Sequence, residues 1–311
     1  MRRSLVALGT LLAGTIVAGT ATGILPGAPQ QKRTNEIRVQ TDLVNILAGV
    51  TDANGRPMPD LTQEAFQLSE EGVPQKIERF EPETNRPLDL ALMIDASMST
   101  FKDLKFETEA AAHFIRQVVR PGDTLAVFEF AETVTKLSEF SDDVMQLQSA
   151  VRRITPGAGT SIYDAIVLGS NALRRRPEGR RRAIVLVTDA GETTSVSKFD
   201  ETRRAAIASG ALLYSVVIRP VKNESGRNTA GEHALITITD STGGAMFTLD
   251  EMNQLDDMFD RIDRELRTQY LLGYYPHPDP PPGSDRHVHV DVKGNYVVRY
   301  RKEYFTPAAA Q

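Results

Sequence analysis

The sequence predicts a doubly wound, mostly parallel α/β sheet of the Rossmann-like class, with a small β subdomain formed by its N- and C-terminal flanks. Three observations carry this. Four nearly unbroken apolar runs, at 88–94, 125–130, 183–187 and 212–218, suit strands buried on both faces. Helical patterns of period 3.6 lie between them, which is the signature of βαβ units. Outside residues 87–269, apolar residues instead alternate between turn signals.

The elements follow in order. Residues 37–86 form an N-terminal β segment, with Val39, Leu43, Ile46 and Val50 ahead of an Asp52-Ala53-Asn54-Gly55 turn. Phe66, Leu68 and Ile77 come next, split by a Glu71-Gly72 turn. In the α/β unit, residues 87–269, a first helix carries Ala111, Phe114, Ile115, Val118 and Val119 and stops at Pro121-Gly122. The segment from Thr124 to Phe140 lacks room for a helix and reads as a strand with an antiparallel edge hairpin. Met145, Leu147 and Val151 mark a short helix, and Ile162, Ala165, Ile166, Gly169 and Leu173 a third. The cleanest stripe is Met252, Leu255, Phe259, Ile262 and Leu266, behind an expected Asp250 N-cap with Glu251 in the first turn. Residues 270–311 are a C-terminal β segment: Tyr270 to Tyr275, a proline-rich loop, then Val288, Val290 and Val292, with Val297 to Phe305 pairing back across a Gly294-Asn295 turn. Each flank is too small to be stable alone, so the two are expected to pair.

Composition narrows the function. The 311 residues are 41% hydrophobic and 25% charged, the balance of an ordinary globular chain. A net charge of −5 argues against a general nucleic-acid binder. With no cysteine, disulfides, thiolate metal sites and cysteine nucleophiles are excluded. Arg2 and Arg3 followed by an apolar stretch from Leu5 to Ala18 read as a signal peptide over residues 1–23, with a flexible leader at 24–36. An uncleaved N-terminal anchor is the competing reading. No other apolar run approaches the roughly 18 residues of a membrane span. The chain is expected to be exported, either periplasmic or secreted.

The chemistry gathers at strand ends. The run 88–94 leads into Asp95-Ala96-Ser97-Met98-Ser99, and 183–187 into Thr188-Asp189-Ala190-Gly191. Between them, Gly157-Ala158-Gly159-Thr160-Ser161 opens the third helix. In doubly wound sheets ligands bind beyond the carboxyl ends of strands. Asp95, Ser97, Ser99, Thr160 and Asp189 together make an all-oxygen donor set without His or Cys, which suits Mg²⁺ (or Mn²⁺) and leaves a position open. Asp-x-Ser-x-Ser alone reads equally well as a helix cap. An aspartyl phosphotransferase would need an acid where Ser97 stands.

These three pieces, in this order, resemble the metal-ion-dependent adhesion site of von Willebrand factor type A domains, over roughly residues 87–270. The flanks resemble an exported bacterial branch of that family. The resemblance implies a non-enzymatic, divalent-metal-dependent protein-binding module. Its ligands would be Asp95, Ser97, Ser99, Thr160 and Asp189, with an acidic side chain of a protein partner completing the shell. Met98 departs from the usual Gly, and Gly191 is displaced by one from the usual Asp-Gly. The alternatives are a metal-dependent hydrolase, with Glu192 the nearest base, and an envelope scaffold with a purely structural metal. The arginine-dense run 174–182 reads as a solvated loop, with contact to anionic lipid or polysaccharide as the other reading.

Overall fold

The computed structural model describes residues 43–82, 86–98, 100, 104–218 and 229–308. The expected signal peptide, the leader and Ser99 lie outside the described residues.

The N-terminal flank supplies β1 (Val44–Thr51), β2 (Phe66–Glu70), β3 (Val73–Gln75) and β4 (Arg79–Pro82). The α/β unit runs β5 (Leu88–Asp95), α1 (Leu104–Val118), β6 (Thr124–Phe130), β7 (Val134–Lys136), α2 (Val144–Val151), α3 (Ile162–Arg174), β8 (Arg181–Thr188), α4 (Phe199–Ser209), β9 (Leu212–Ile218), α5 (Thr229–Thr242), β10 (Ala245–Leu249) and α6 (Leu255–Leu266). The C-terminal flank adds β11 (Gln269–Tyr274), β12 (Asp285–Val292), β13 (Val297–Tyr300) and β14 (Glu303–Phe305).

The apolar runs become a six-stranded sheet of order β10-β9-β8-β5-β6-β7, parallel except for the edge strand β7. Every residue of β5 and β9 is buried, as continuous hydrophobic runs require. Alternate β5 residues serve opposite cores. Leu90, Leu92 and Ile94 pack with α1, α2 and α6, while Ala91 and Met93 pack with α3, α4 and α5. Strand order reverses at β5, whose neighbours are β6 on one side and β8 on the other. This is the switch point where a crevice opens beyond the carboxyl ends.

Two helices escaped the sequence reading. The α4 sequence is mostly polar and charged, and α5 is rich in β-branched Thr and Ile, so neither shows a clean apolar stripe. The cap expected at Asp250 is also corrected. A 3₁₀ turn, Met252–Gln254, precedes α6, neither Glu251 nor Gln254 makes a side-chain cap, and the first-turn acids are Asp256 and Asp257. Gln254 Oε1 instead accepts the Asp250 N–H at 3.3 Å.

The flanks interleave. One sheet has the order β13-β1-β11-β4, the other β14-β12-β2-β3, so each mixes strands from both ends of the chain. Ile46, Ala48, Leu68, Tyr270, Leu272, Val288 and Val290 share one core. Buried Glu70 on β2 accepts hydrogen bonds from Tyr274 Oη (2.7 Å), Tyr304 Oη (3.1 Å) and Arg286 Nε (2.7 Å), so it fastens the N-terminal flank to three elements of the other. Burial and the Glu70 charge push the Tyr304 hydroxyl up to about 12. The hairpin expected between 288–292 and 297–305 is not formed as such. β13 crosses to pair with β1, and only β14 returns to β12. The reason is the edge of β1, which β13 covers. The two segments depend on each other, so deleting residues 43–82 should strip amide hydrogen-exchange protection from 288–292 and 297–300 while 90–94 stays protected. Protection in 288–292 that survives the deletion would show that β12 folds without β2.

The arginine-dense run corrects its solvated-loop reading. Arg176 and Arg180 reach buried Asp89 at 3.2 and 2.8 Å. Arg181 is buried and donates to the Arg86 carbonyl at 3.0 Å, and Arg182 donates to the Ser209 carbonyl at 3.0 Å. Arg174 and Arg175 remain exposed. The run seals the amino end of the sheet, opposite the crevice.

Candidate functional site

Asp95 is the last residue of β5 and is fully buried. Its carboxylate accepts the Thr188 hydroxyl at 2.6 Å and the Ser97 N–H at 2.9 Å. Ser97 also donates its side-chain hydrogen bond to this carboxylate. Burial, helped by the nearby charge of Asp189, outweighs the hydrogen bonds from Thr188 and Ser97 and leaves the Asp95 carboxyl pushed up to about 6. Asp89, six residues earlier on the same strand, is equally buried but faces two guanidinium groups. No such cation faces Asp95 among the described residues. A buried carboxylate without a cation is costly, so the two ends of β5 differ in what they still lack.

Main-chain bonds draw the separate loops together. The Gly157 N–H donates to the Ala96 carbonyl at 2.8 Å, which docks the loop before α3 beside Ser97. Gly159 has φ +67°, a left-handed conformation that turns this loop into buried Thr160. The Thr193 and Thr194 N–H groups donate to the Thr160 carbonyl at 2.9 and 3.1 Å, and Thr193 Oγ1 accepts the Thr160 N–H at 2.9 Å. The loop after Asp189 is thereby stitched to Thr160. Asp189 itself is half-buried and accepts the Gly191 N–H at 3.0 Å. Between them Ala190 has φ +65°, conformationally the place for a glycine, which is how the displaced Gly191 registers in the backbone.

Asp95, Ser97, Thr160 and Asp189 thus lie on loops joined at the carboxyl ends of β5 and β8; Ser99 is outside the described residues. Sequence reasoning missed two supports. Thr188 orients the Asp95 carboxylate, and the buried Thr100 hydroxyl donates to the Asp95 and Ser97 carbonyls at 3.1 and 3.0 Å. Thr188 had a readable signal, since it directly precedes Asp189 at the end of a buried strand. Glu192 turns out to be occupied. Its oxygens accept the Tyr163 N–H (3.1 Å), the Ser195 N–H (2.9 Å) and the Ser195 hydroxyl (2.8 Å), so it builds the loop. The two histidines that alternate on β12 are also engaged: His287 with Glu71 at 3.2 Å, and His289 with the Tyr300 hydroxyl at 3.1 Å.

The donor set fits a hard divalent cation. It is all oxygen, and its innermost carboxylate is buried without a positive partner. Among the described residues no three His, Asp or Glu side chains gather into one metal-binding group, so a cation here would meet two carboxylates and hydroxyls only.

Residues 90–192 match the family model of the von Willebrand factor type A domain. The α/β unit is a von Willebrand factor type A domain. Among solved structures, a von Willebrand factor type A protein from Catenulispora acidiphila is similar at 11% identity, with a TM-score of 0.50 over 88% of this chain and 76% of that one. The von Willebrand domain of a type V pili tip protein from Porphyromonas gingivalis is 13% identical, with a TM-score of 0.48 over 58% of this chain and 95% of that one. Proximal thread matrix protein 1 from the mussel byssus, described with a zinc-occupied adhesion-site motif, is 16% identical, with a TM-score of 0.49 over 62% and 48%. No curated protein matches this sequence. Among the described residues, no helix is long and apolar enough to cross a membrane.

Proposed function

We propose that this chain is an exported protein-interaction module, non-enzymatic, that engages an acidic side chain of a protein partner through a divalent cation. The observation that carries the reading is the buried Asp95 carboxylate, which hydroxyls and an N–H contact but no cation, at the switch point of the sheet. Asp95, Ser97, Ser99, Thr160 and Asp189 would hold Mg²⁺ (or Mn²⁺), and the bound cation would supply a Lewis-acidic position for one outside carboxylate oxygen. Two protein carboxylates offset its two charges, and a partner carboxylate completes the oxygen shell. Thr188 would act through Asp95 by fixing its orientation.

Export rests on the N-terminal segment, read from sequence. A non-enzymatic role is supported by Glu192, whose oxygens are committed to backbone and Ser195 donors. The solved relatives that carry pilus-tip and byssal-thread descriptions are of the same fold.

The test is isothermal titration with Mg²⁺. Thr188→Val should weaken binding about tenfold while the fold survives, because it removes a support of the ligand and not the ligand itself. A Thr188→Val protein that binds Mg²⁺ as tightly as wild type would remove Thr188 from the site. Sustained phosphate-ester or peptide turnover that disappears in Asp189→Ala would replace the binding module with a hydrolase.

A further inference from the structure

Alternation along β2 and β12 sends Phe66, Leu68, Val288, Val290 and Val292 into the core shared by the flanks, and turns Gln67, Ser69, His289 and Asp291 outward. The strand register makes these four into two directly opposite pairs, Ser69 with His289 and Gln67 with Asp291. All four line one groove of about 730 Å³, to which β3 adds Pro74 and the turn before it adds Gly72. That volume lies within the range of small-molecule sites, about 300–1,000 Å³. No residue of the candidate cation site lines it.

Polar side chains opposite each other on a ladder are within each other's reach. Among the described residues, the side chains of Gln67, Ser69 and Asp291 nevertheless make no hydrogen bond or ion pair. His289 spends only Nδ1, on the Tyr300 hydroxyl at 3.1 Å. Two adjacent strands therefore present an amide, a hydroxyl, a ring nitrogen and a carboxylate to one groove, all with hydrogen-bonding capacity unspent.

The lining selects the chemistry of the occupant. The charged groups are Glu64, Lys76 and Asp291, and Lys76 is tied to Glu78 at 2.9 Å, so an anion would meet two carboxylates. A metal would find no group of three His, Asp or Glu side chains. An apolar ligand would take water from Gln67, Ser69 and Asp291 without replacing it. A cation would satisfy Asp291 and leave the Gln67 amide N–H groups idle. Strand addition is closed at Ser69, because β2 is already paired there with both β12 and β3. A neutral ligand rich in hydroxyls meets every group, since each hydroxyl both donates and accepts, and Pro74 offers an apolar surface to its C–H face.

We propose that this groove binds a neutral glycan, with Gln67, Ser69, His289 and Asp291 as its hydrogen-bonding residues. The site is independent of the cation-dependent module and needs no metal.

The full chain, kept in EDTA, is tested on an array that carries neutral glycans, uronic-acid and sulfated glycans, and short basic and acidic peptides. The expected result is retention on a subset of the neutral glycans. Titration of the best of these should show Gln67→Ala and Asp291→Ala binding each about tenfold more weakly, from lost hydrogen bonds. Both side chains are exposed and unbonded, so both variants should keep the wild-type melting temperature. Retention of no neutral glycan, or equal binding by wild type and both variants, would overturn the proposal and leave the cation-dependent module standing. Retention of charged glycans or peptides alone would overturn it as well, and dependence of that retention on Gln67 and Asp291 would make the groove a site for those ligands instead.

Discussion

Saturating Mg²⁺ is expected to raise the melting temperature of the wild-type chain by roughly 5–10 °C and to leave Asp95→Ala unmoved. A ligand that binds only the folded state stabilises it by mass action, about 2.7 kcal/mol at a hundredfold excess over Kd. Each kcal/mol moves the melting point of a chain of this size by a few degrees. The folded state alone assembles the site, because its members come from β5, the loop before α3 and the loop after β8, joined by the Gly157–Ala96 and Thr193–Thr160 bonds. Asp95 is the most deeply placed donor, and without it Asp189 would remain as the lone carboxylate of the set. Differential scanning calorimetry with Mg²⁺ and with EDTA reads the difference directly. An Asp95→Ala protein that gains as many degrees as wild type would put the cation elsewhere.

The second large effect is expected at the opposite end of the same strand. Asp89→Ala should destabilise the chain by about 3–5 kcal/mol, the usual cost of removing one partner from a buried charge cluster. Asp89 is fully buried and binds Arg176, Arg180 and the Thr124 hydroxyl (2.5 Å), so its loss strands two guanidinium groups at the sheet's amino end. Burial raises its pKa, but the hydrogen bonds from Arg180, Thr124 and Arg176 outweigh burial and leave the carboxyl below its ordinary value. A carboxylate depressed in the folded state contributes stability above its unfolded pKa of about 3.8 and loses it as the pH falls further. Wild type should therefore lose stability below about pH 4, and Asp89→Asn should lose less over the same window. Urea denaturation between pH 3 and 7 measures both. Parallel pH profiles for the two proteins would show that Asp89 is not a source of the acid sensitivity.

Much of the candidate site was legible because it is written locally. Asp95 and Asp189 each close an apolar run, and Gly159 precedes Thr160, so strand ends and a turn could be read without knowing their neighbours. The hydrogen bond that the Val196 N–H donates to the Asp164 carboxylate was not legible, because packing alone brings the two together. Asp164 and Val196 are 32 positions apart. The helices α4 and α5 were missed for a related reason: their stability comes from the sheet they cover and not from a clean stripe of their own.

What the sequence determined by itself was the class of the central sheet, since continuous apolar runs have no stable home except between two helical layers. It also determined the oxygen character of the site, because a chain without cysteine and with no histidine in these three motifs offers only carboxylates and hydroxyls there. The tertiary structure alone decided how the flanks pair and what the arginine run does. Alternation sets which face of a strand is buried but not which edge it meets, so β13 could leave its expected hairpin for β1. A row of arginines looks solvated until a buried carboxylate is found beneath it. Asp89 and Asp95 make the same point on one strand. Both are aspartates in one buried run, and only the folded surroundings supply guanidinium groups to the first and leave the second without them.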